Sequence, residues 1–141
     1  MACKVTVEEV NAFYDSVFQG GGDQDRVLEV RENYARLRHP VDAGNLRPGD
    51  YINGPTQMSI ADSAAYIAVF TRTGITPMAL TSNLNINFLR PCIGTAVIAE
   101  AHLLKIGRTL AVISVDISAE GSEKLSAHAV VNYTLPQESK Q

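Results

Sequence analysis

Apolar positions along the chain repeat in two different rhythms. Val7, Val10, Tyr14 and Val17 recur at three- and four-residue spacing, the period of a helix with one apolar stripe. Thr6 and Glu9 precede and open that run as a capping box, with Thr6 as N-cap and Glu9 at N3. Gly20-Gly21-Gly22 stops it, so a helix is predicted over about 6–19. Residues 26–38 carry Val27, Leu28, Val30, Tyr34 and Leu37 between charges and read as one weak strand. Gly44, Pro48 and Gly49 mark a loop from 40 to 53. The stretch 55–71 is Ala-rich and apolar nearly all round, with a single charge, Asp62. It reads as a buried helix. Asn53-Gly54 precedes it, and Pro55 suits the first helical position, where a missing N–H costs nothing.

Beyond a turn at 74–77 the rhythm becomes two. Over 77–90, Met78, Leu80, Leu84, Ile86 and Phe88 share one parity, and Thr81, Asn83, Asn85 and Asn87 share the other. Over 95–106, Val97, Ala99, Ala101 and Leu103 oppose Glu100 and His102. Over 109–119, Ala111, Ile113, Val115 and Ile117 oppose Ser114, Asp116 and Ser118. Over 124–135, Leu125, Ala127, Ala129, Val131 and Tyr133 oppose Ser126, His128 and Asn132. These are half-buried antiparallel strands, joined by short turns that contain Gly107 and Gly121. A short polar tail follows Pro136.

The predicted order is helix, strand, long loop, buried helix, four strands. A sheet with one apolar face needs a cover, and only the 55–71 helix is apolar enough. The expected class is therefore α+β: a curled antiparallel sheet wrapped around a central helix, the hot-dog arrangement, with an extra N-terminal helix. The length, 141 residues, suits one domain over 1–141.

Composition narrows the function classes. Net charge is −3 without a basic cluster, which argues against nucleic acid. Cys3 and Cys92 form no metal or CxxC spacing and read as two reduced thiols. His39, His102 and His128 show neither metal nor triad spacing, so no metal is expected. Charges at Lys4, Glu8 and Glu9 interrupt any signal-like start, and the 55–71 helix is too short and mixed to span a bilayer. The expectation is a cytoplasmic protein with no membrane partner.

Asp62 carries the chemical signal. A carboxylate inside an apolar helix is costly unless paired, hydrogen-bonded or protonated. It lies about two turns in, beyond the reach of the helix dipole. Ser59 and Tyr66, at i−3 and i+4, and the adjacent Ser63 are the near neighbours on the helix.

These residues bring a family into view. The chain resembles the hot-dog-fold acyl-CoA thioesterases, in the branch with phenylacetyl-CoA and 4-hydroxybenzoyl-CoA thioesterases, over roughly 40–135. That family opens its central helix with His-Gly-Gly and places an Asp or Glu nine residues after the His. Here the stretch is Asn53-Gly54-Pro55, followed by Asp62. The run 81–91, ending in Arg90-Pro91, is similar to the family's second strand, and Lys105-Ile106-Gly107-Arg108 to its Gly-Arg turn. Asn53 replaces the His, Pro55 the second Gly, and Arg47 a frequent Gln.

The resemblance implies hydrolysis of a CoA thioester to free acid and CoA, by a homodimer or homotetramer, with no cofactor beyond the CoA of the substrate. Asp62 would be general base or nucleophile. Amides near Gly54, at the helix start, would polarise the carbonyl, and Asn53 would add an amide donor or serve as N-cap. Arg90, Lys105 and Arg108 are the candidate cations for CoA phosphates. Asn83, Tyr66 and Ser63 are candidate substrate contacts. Two other readings stay open: a non-catalytic acyl-CoA or acyl-carrier binding protein, and a hot-dog hydratase or dehydratase.

Overall fold

The computed structural model describes residues 2–17 and 25–137. The glycine stop at 20–22, the predicted end of the first helix and the last residues of the tail lie outside them. Helix α1 (Val7–Val17) begins with the predicted box: Glu9 N donates to Thr6 Oγ1 and Thr6 N to Glu9 Oε1. Strands β1 (Arg26–Arg31) and β2 (Tyr34–Pro40) follow, then short strands β3 (Leu46–Arg47) and β4 (Tyr51–Ile52). Helix α2 (Gly54–Thr73) leads into β5 (Leu80–Phe88), β6 (Ala96–Ile106), β7 (Leu110–Ala119) and β8 (Ala127–Thr134).

Six strands form one antiparallel sheet in the order β1-β2-β6-β7-β8-β5, curled around α2. This is the expected hot-dog arrangement. Small residues make the wrap tight. Ala61, Ala64, Ala65 and Ala68 of α2 are fully buried against a sheet face carrying Ala99, Ala101, Ala111, Ala127 and Ala129, also fully buried. Alanine on both sides lets helix and sheet backbones approach closely, while Phe70, Ile60, Ile67, Ile113 and Ile117 fill the remaining volume.

Three local expectations need correction. Residues 26–38 do not form one strand. They fold as a β1–β2 hairpin that turns at Asn33, with φ 68. The turn has no glycine, because Asn tolerates the left-handed region through local hydrogen bonding. Second, α2 is not buried all round. Pro55, Met58 and Ser59 are exposed and Asp62, Ser63 and Tyr66 half-buried, which leaves one stripe uncovered by the helix's own sheet. Asp62 sits on that stripe.

Third, β5 does not keep one parity. Its register against β8 shifts between Thr81 and Asn83, the mark of a bulge. Thr81 pairs with inward-facing Tyr133 and Leu84 with inward-facing Val131, so Thr81 joins Leu84, Ile86 and Phe88 on the inner face. Leu80 instead pairs with the exposed Thr134 and is itself exposed, as is Met78.

Candidate active site

Two cavities open along the uncovered stripe of α2. The first surrounds the helix start and is lined by Gly54 and Gln57 with Arg47, Tyr51, Phe88 and Arg90, among others, at about 470 Å³. The second surrounds Asp62 and is lined by Tyr14, Ser63, Tyr66, Leu80, Thr81 and Tyr133, at about 270 Å³.

At the helix start the donors are nearly all committed. Asn53 is the N-cap: its Oδ1 accepts Thr56 N at 2.9 Å and its Nδ2 donates to Gly44 O at 3.4 Å. Gln57 N donates to Asn53 O, and Pro55 has no N–H. The Gly54 amide is the backbone donor left at the cavity. Asn53 therefore caps and holds the helix start. Gln57 is buried, with Nε2 on Ile52 O at 3.3 Å and Oε1 accepting from Ser126 Oγ at 2.8 Å. It braces the segment leading into Gly54. A Cβ on Gly54 would meet the end of the Phe88 ring at 3.2 Å, so the backbone there is closely faced on one side.

At the second cavity Asp62 is held by two hydroxyls on one oxygen. Thr81 Oγ1 donates to Oδ1 at 2.6 Å and Tyr133 Oη donates to Oδ1 at 2.7 Å. Oδ2 is thereby directed away from both donors. Burial pushes the Tyr133 phenol far above its ordinary value, and the neighbouring Asp62 charge adds to this against the Thr81 bond. Tyr133 thus remains a donor. Tyr66 stacks on Tyr133 at 5.8 Å and donates to Pro77 O, not to Asp62. Tyr14 lines the same cavity beside Ser63, bringing α1 to its wall.

The sequence-based cation set is divided. Arg90 lies at the β5 exit, bonded to Leu125 O, and lines the Gly54 cavity beside Arg47. Lys105 and Arg108 lie at the opposite end of the sheet, where Leu110 and Leu80 both pair with Thr134. One protomer does not gather the three. Asn83 is exposed on β5 and lines neither cavity. Ser59 lines a third cavity, with His39 and Asn45.

Sequence reasoning missed Thr81, Tyr133 and Gln57, and named Arg47 only as the replacement of a frequent Gln. Thr81 was placed on the polar face because the bulge is invisible in the alternation. Tyr133 looked like core, and its hydroxyl was the available signal: a buried phenol needs a partner. Among the described residues, no cluster of His, Cys, Asp and Glu is arranged to hold a metal, and no helix is long and apolar enough to cross a membrane.

Comparison with known proteins agrees with this architecture. Residues 49–126 match the family model described as the thioesterase superfamily. A provisionally named esterase of Saccharolobus solfataricus is 30% identical over 138 residues, spanning 96% of this chain and 89% of that protein. The crystal structure of a provisionally assigned thioesterase from a Silicibacter species superposes with TM-score 0.86 at 28% identity, covering 95% of this chain and 94% of that one. A Haemophilus influenzae thioesterase shares the fold at TM-score 0.83 and 21% identity over the full length of both chains. With the family's match running across the helix start and Asp62, this chain belongs to the thioesterase superfamily.

Proposed function

We propose that the protein hydrolyses acyl-CoA thioesters at a site shared by two copies of the chain. The observation that carries this reading is the spacing of the two half-sites. Gly54 and Asp62 are eight residues apart on one helix, which separates them by roughly 12 Å along the axis. One carbonyl group cannot touch both. A second helix, running the other way, has to supply the missing half.

Strand β5 supplies the geometry. It is an edge strand, and Leu80 and Phe88 on it are exposed. Its Thr81 end lies at Asp62 and its Phe88 end at Gly54. Antiparallel pairing of two β5 edges sets the Thr81 end of one copy against the Phe88 end of the other. Asp62 of one copy then faces Gly54 of its partner. Such pairing also removes an open edge with exposed apolar side chains.

In that site the Gly54 N–H donates to the thioester oxygen and stabilises the charge that develops there. Asp62 Oδ2, turned from its two donors, takes the proton of an attacking water or attacks the carbon itself. Arg47 and Arg90 flank the Gly54 cavity and offer cations to CoA phosphates. The same antiparallel pairing carries the Arg108 end of one sheet toward the Arg90 end of the other.

The test is turnover of a panel of acyl-CoA esters, short and long, aliphatic and aromatic, followed by released thiol. Hydrolysis of at least one ester supports the reading. Binding of CoA esters without turnover of any overturns it in favour of a binding protein.

A further inference from the structure

The Gly54 amide is the donor that the first turn of α2 leaves to its cavity, so whatever holds Gly54 decides where that donor points. The helix by itself holds it loosely. Gln57 N reaches Asn53 O at 3.4 Å, and Asn53 Nδ2 reaches Gly44 O at 3.4 Å, both long for such bonds. Shorter bonds run through one residue of the preceding loop, Asn45. Its carbonyl accepts Asn53 N at 2.8 Å, and its Nδ2 donates to Thr56 Oγ1 at 3.1 Å. Asn45 thus grips the chain just before Gly54 and again just after Pro55. Asn53 Oδ1, accepting Thr56 N at 2.9 Å, ties the two grips together.

Asn45 is itself fixed. Its Oδ1 accepts Asp42 N at 2.9 Å. A backbone N–H only donates, so that atom is the amide oxygen, and the group facing Thr56 is the NH₂. Asn45 N donates to Asp42 O at 3.0 Å, and Asp42 Oδ1 accepts Gly44 N at 2.8 Å, which closes the 3-10 turn Ala43–Asn45. Thr56 is buried, where a hydroxyl needs a partner. Asn45 lies ahead of the span 49–126 that matches the family model, so this brace is no part of that match.

We propose that Asn45 is a positioning residue. It touches no reacting atom. By bracing the chain on both sides of Gly54 it holds the Gly54 N–H in line for the thioester oxygen. The effect on rate rests on the thioesterase reading, whereas the hold on Gly54 does not.

The test uses the full chain with two substitutions of one partner. Thr56→Val keeps the shape of the side chain and removes the hydroxyl, and Thr56→Ser keeps the hydroxyl. Outright loss of an oxyanion donor lowers kcat about 10²- to 10³-fold, and a loosened donor is still present, so Thr56→Val should lower kcat on an acyl-CoA about tenfold with KM little changed. Thr56→Ser should keep the wild-type kcat. Asn45→Ala should lose at least as much as Thr56→Val, and adding Thr56→Val to it should lower kcat no further, because both cut one bond. Melting curves on the same samples show that each variant is folded at the assay temperature, so the fall in kcat does not report a lost folded fraction. In ¹⁵N-labelled protein without substrate, the order parameter of the Gly54 amide should fall in Thr56→Val and Asn45→Ala, with that of the Asp62 amide unchanged. The proposal is overturned if folded Thr56→Val keeps the wild-type kcat, if Thr56→Ser loses as much as Thr56→Val, or if Gly54 stays as rigid in Asn45→Ala as in the wild type. If Thr56→Val does not fold, Asn45→Ala decides alone. If the wild type turns over no thioester, the thioesterase reading fails, and the Gly54 amide alone decides whether Asn45 braces it.

Discussion

Replacing Asp62 by Asn isolates the role of one oxygen. Both hydroxyl donors, Thr81 and Tyr133, bond Oδ1. The Asn side chain keeps an oxygen in that place and presents its NH₂ where Oδ2 was. Two charge-assisted bonds become neutral ones, a loss of about 1 kcal/mol each. Release of a half-buried charge offsets part of that. Stability should therefore drop by no more than ~2 kcal/mol, a few degrees in Tm for a chain of this size. The rate should behave differently. Loss of a general base lowers turnover about 10²- to 10⁴-fold, or roughly 2.7–5.4 kcal/mol of barrier. Thiol release under saturating acyl-CoA measures kcat, and a melting curve on the same sample confirms folding. A folded Asp62→Asn protein with wild-type kcat would refute the reasoning and make Asp62 structural.

Three further outcomes follow from the same geometry. Tyr133→Phe and Thr81→Val should each lower kcat about tenfold by freeing Asp62, and the double variant should lose less than the product, because both donors serve one oxygen; strict additivity in steady-state kinetics would count against the shared role. Burial raises Tyr133 and Tyr14 above the ordinary phenol value of 10.0, Tyr133 the more strongly. The unfolded chain therefore releases these protons first, and the stability from keeping both phenols neutral is full below that value and lost as pH rises beyond it. Ultraviolet titration should show both tyrosines ionising late, with one late step removed in Tyr133→Phe. Arg90→Ala should raise KM for acyl-CoA several-fold with kcat retained, as expected of a charge that binds phosphate equally in ground and transition states; an unchanged KM would remove the residue from the CoA contact.

The parts of the account that were legible in the sequence are those written in composition and long-range rhythm. A charge-poor, Ala-rich run can only be a covered helix, and one carboxylate within it stands out. The last three strands alternate for long enough that their inner faces are plain. Three features were not legible, each for a local reason. The Asn33 turn lacks the glycine that marks most reversals. The bulge between Thr81 and Asn83 exchanges faces without changing residue types, and so hid the hydroxyl closest to Asp62. Asn53 fits both a cap and a substrate contact by residue type, and the choice rests on where Thr56 N points. The cation set is not one patch within a protomer: Arg90 and Arg108 are near strand ends in sequence, but at opposite ends of the same sheet.

The central claim, that Gly54 and Asp62 of different copies form one site, is tested most directly by mixing two inactive variants. Asp62→Asn loses the base, and Gly54→Val sets a branched side chain against the Phe88 ring and blocks the approach to the amide. Each variant alone should be folded and inactive. Unfolded and refolded together, half of the dimers should be mixed, and each mixed dimer holds one site with Gly54 from one copy and Asp62 from the other. The account predicts recovery of about a quarter of wild-type kcat per chain. No recovery from a mixture shown by mass spectrometry to contain the mixed dimer would contradict it.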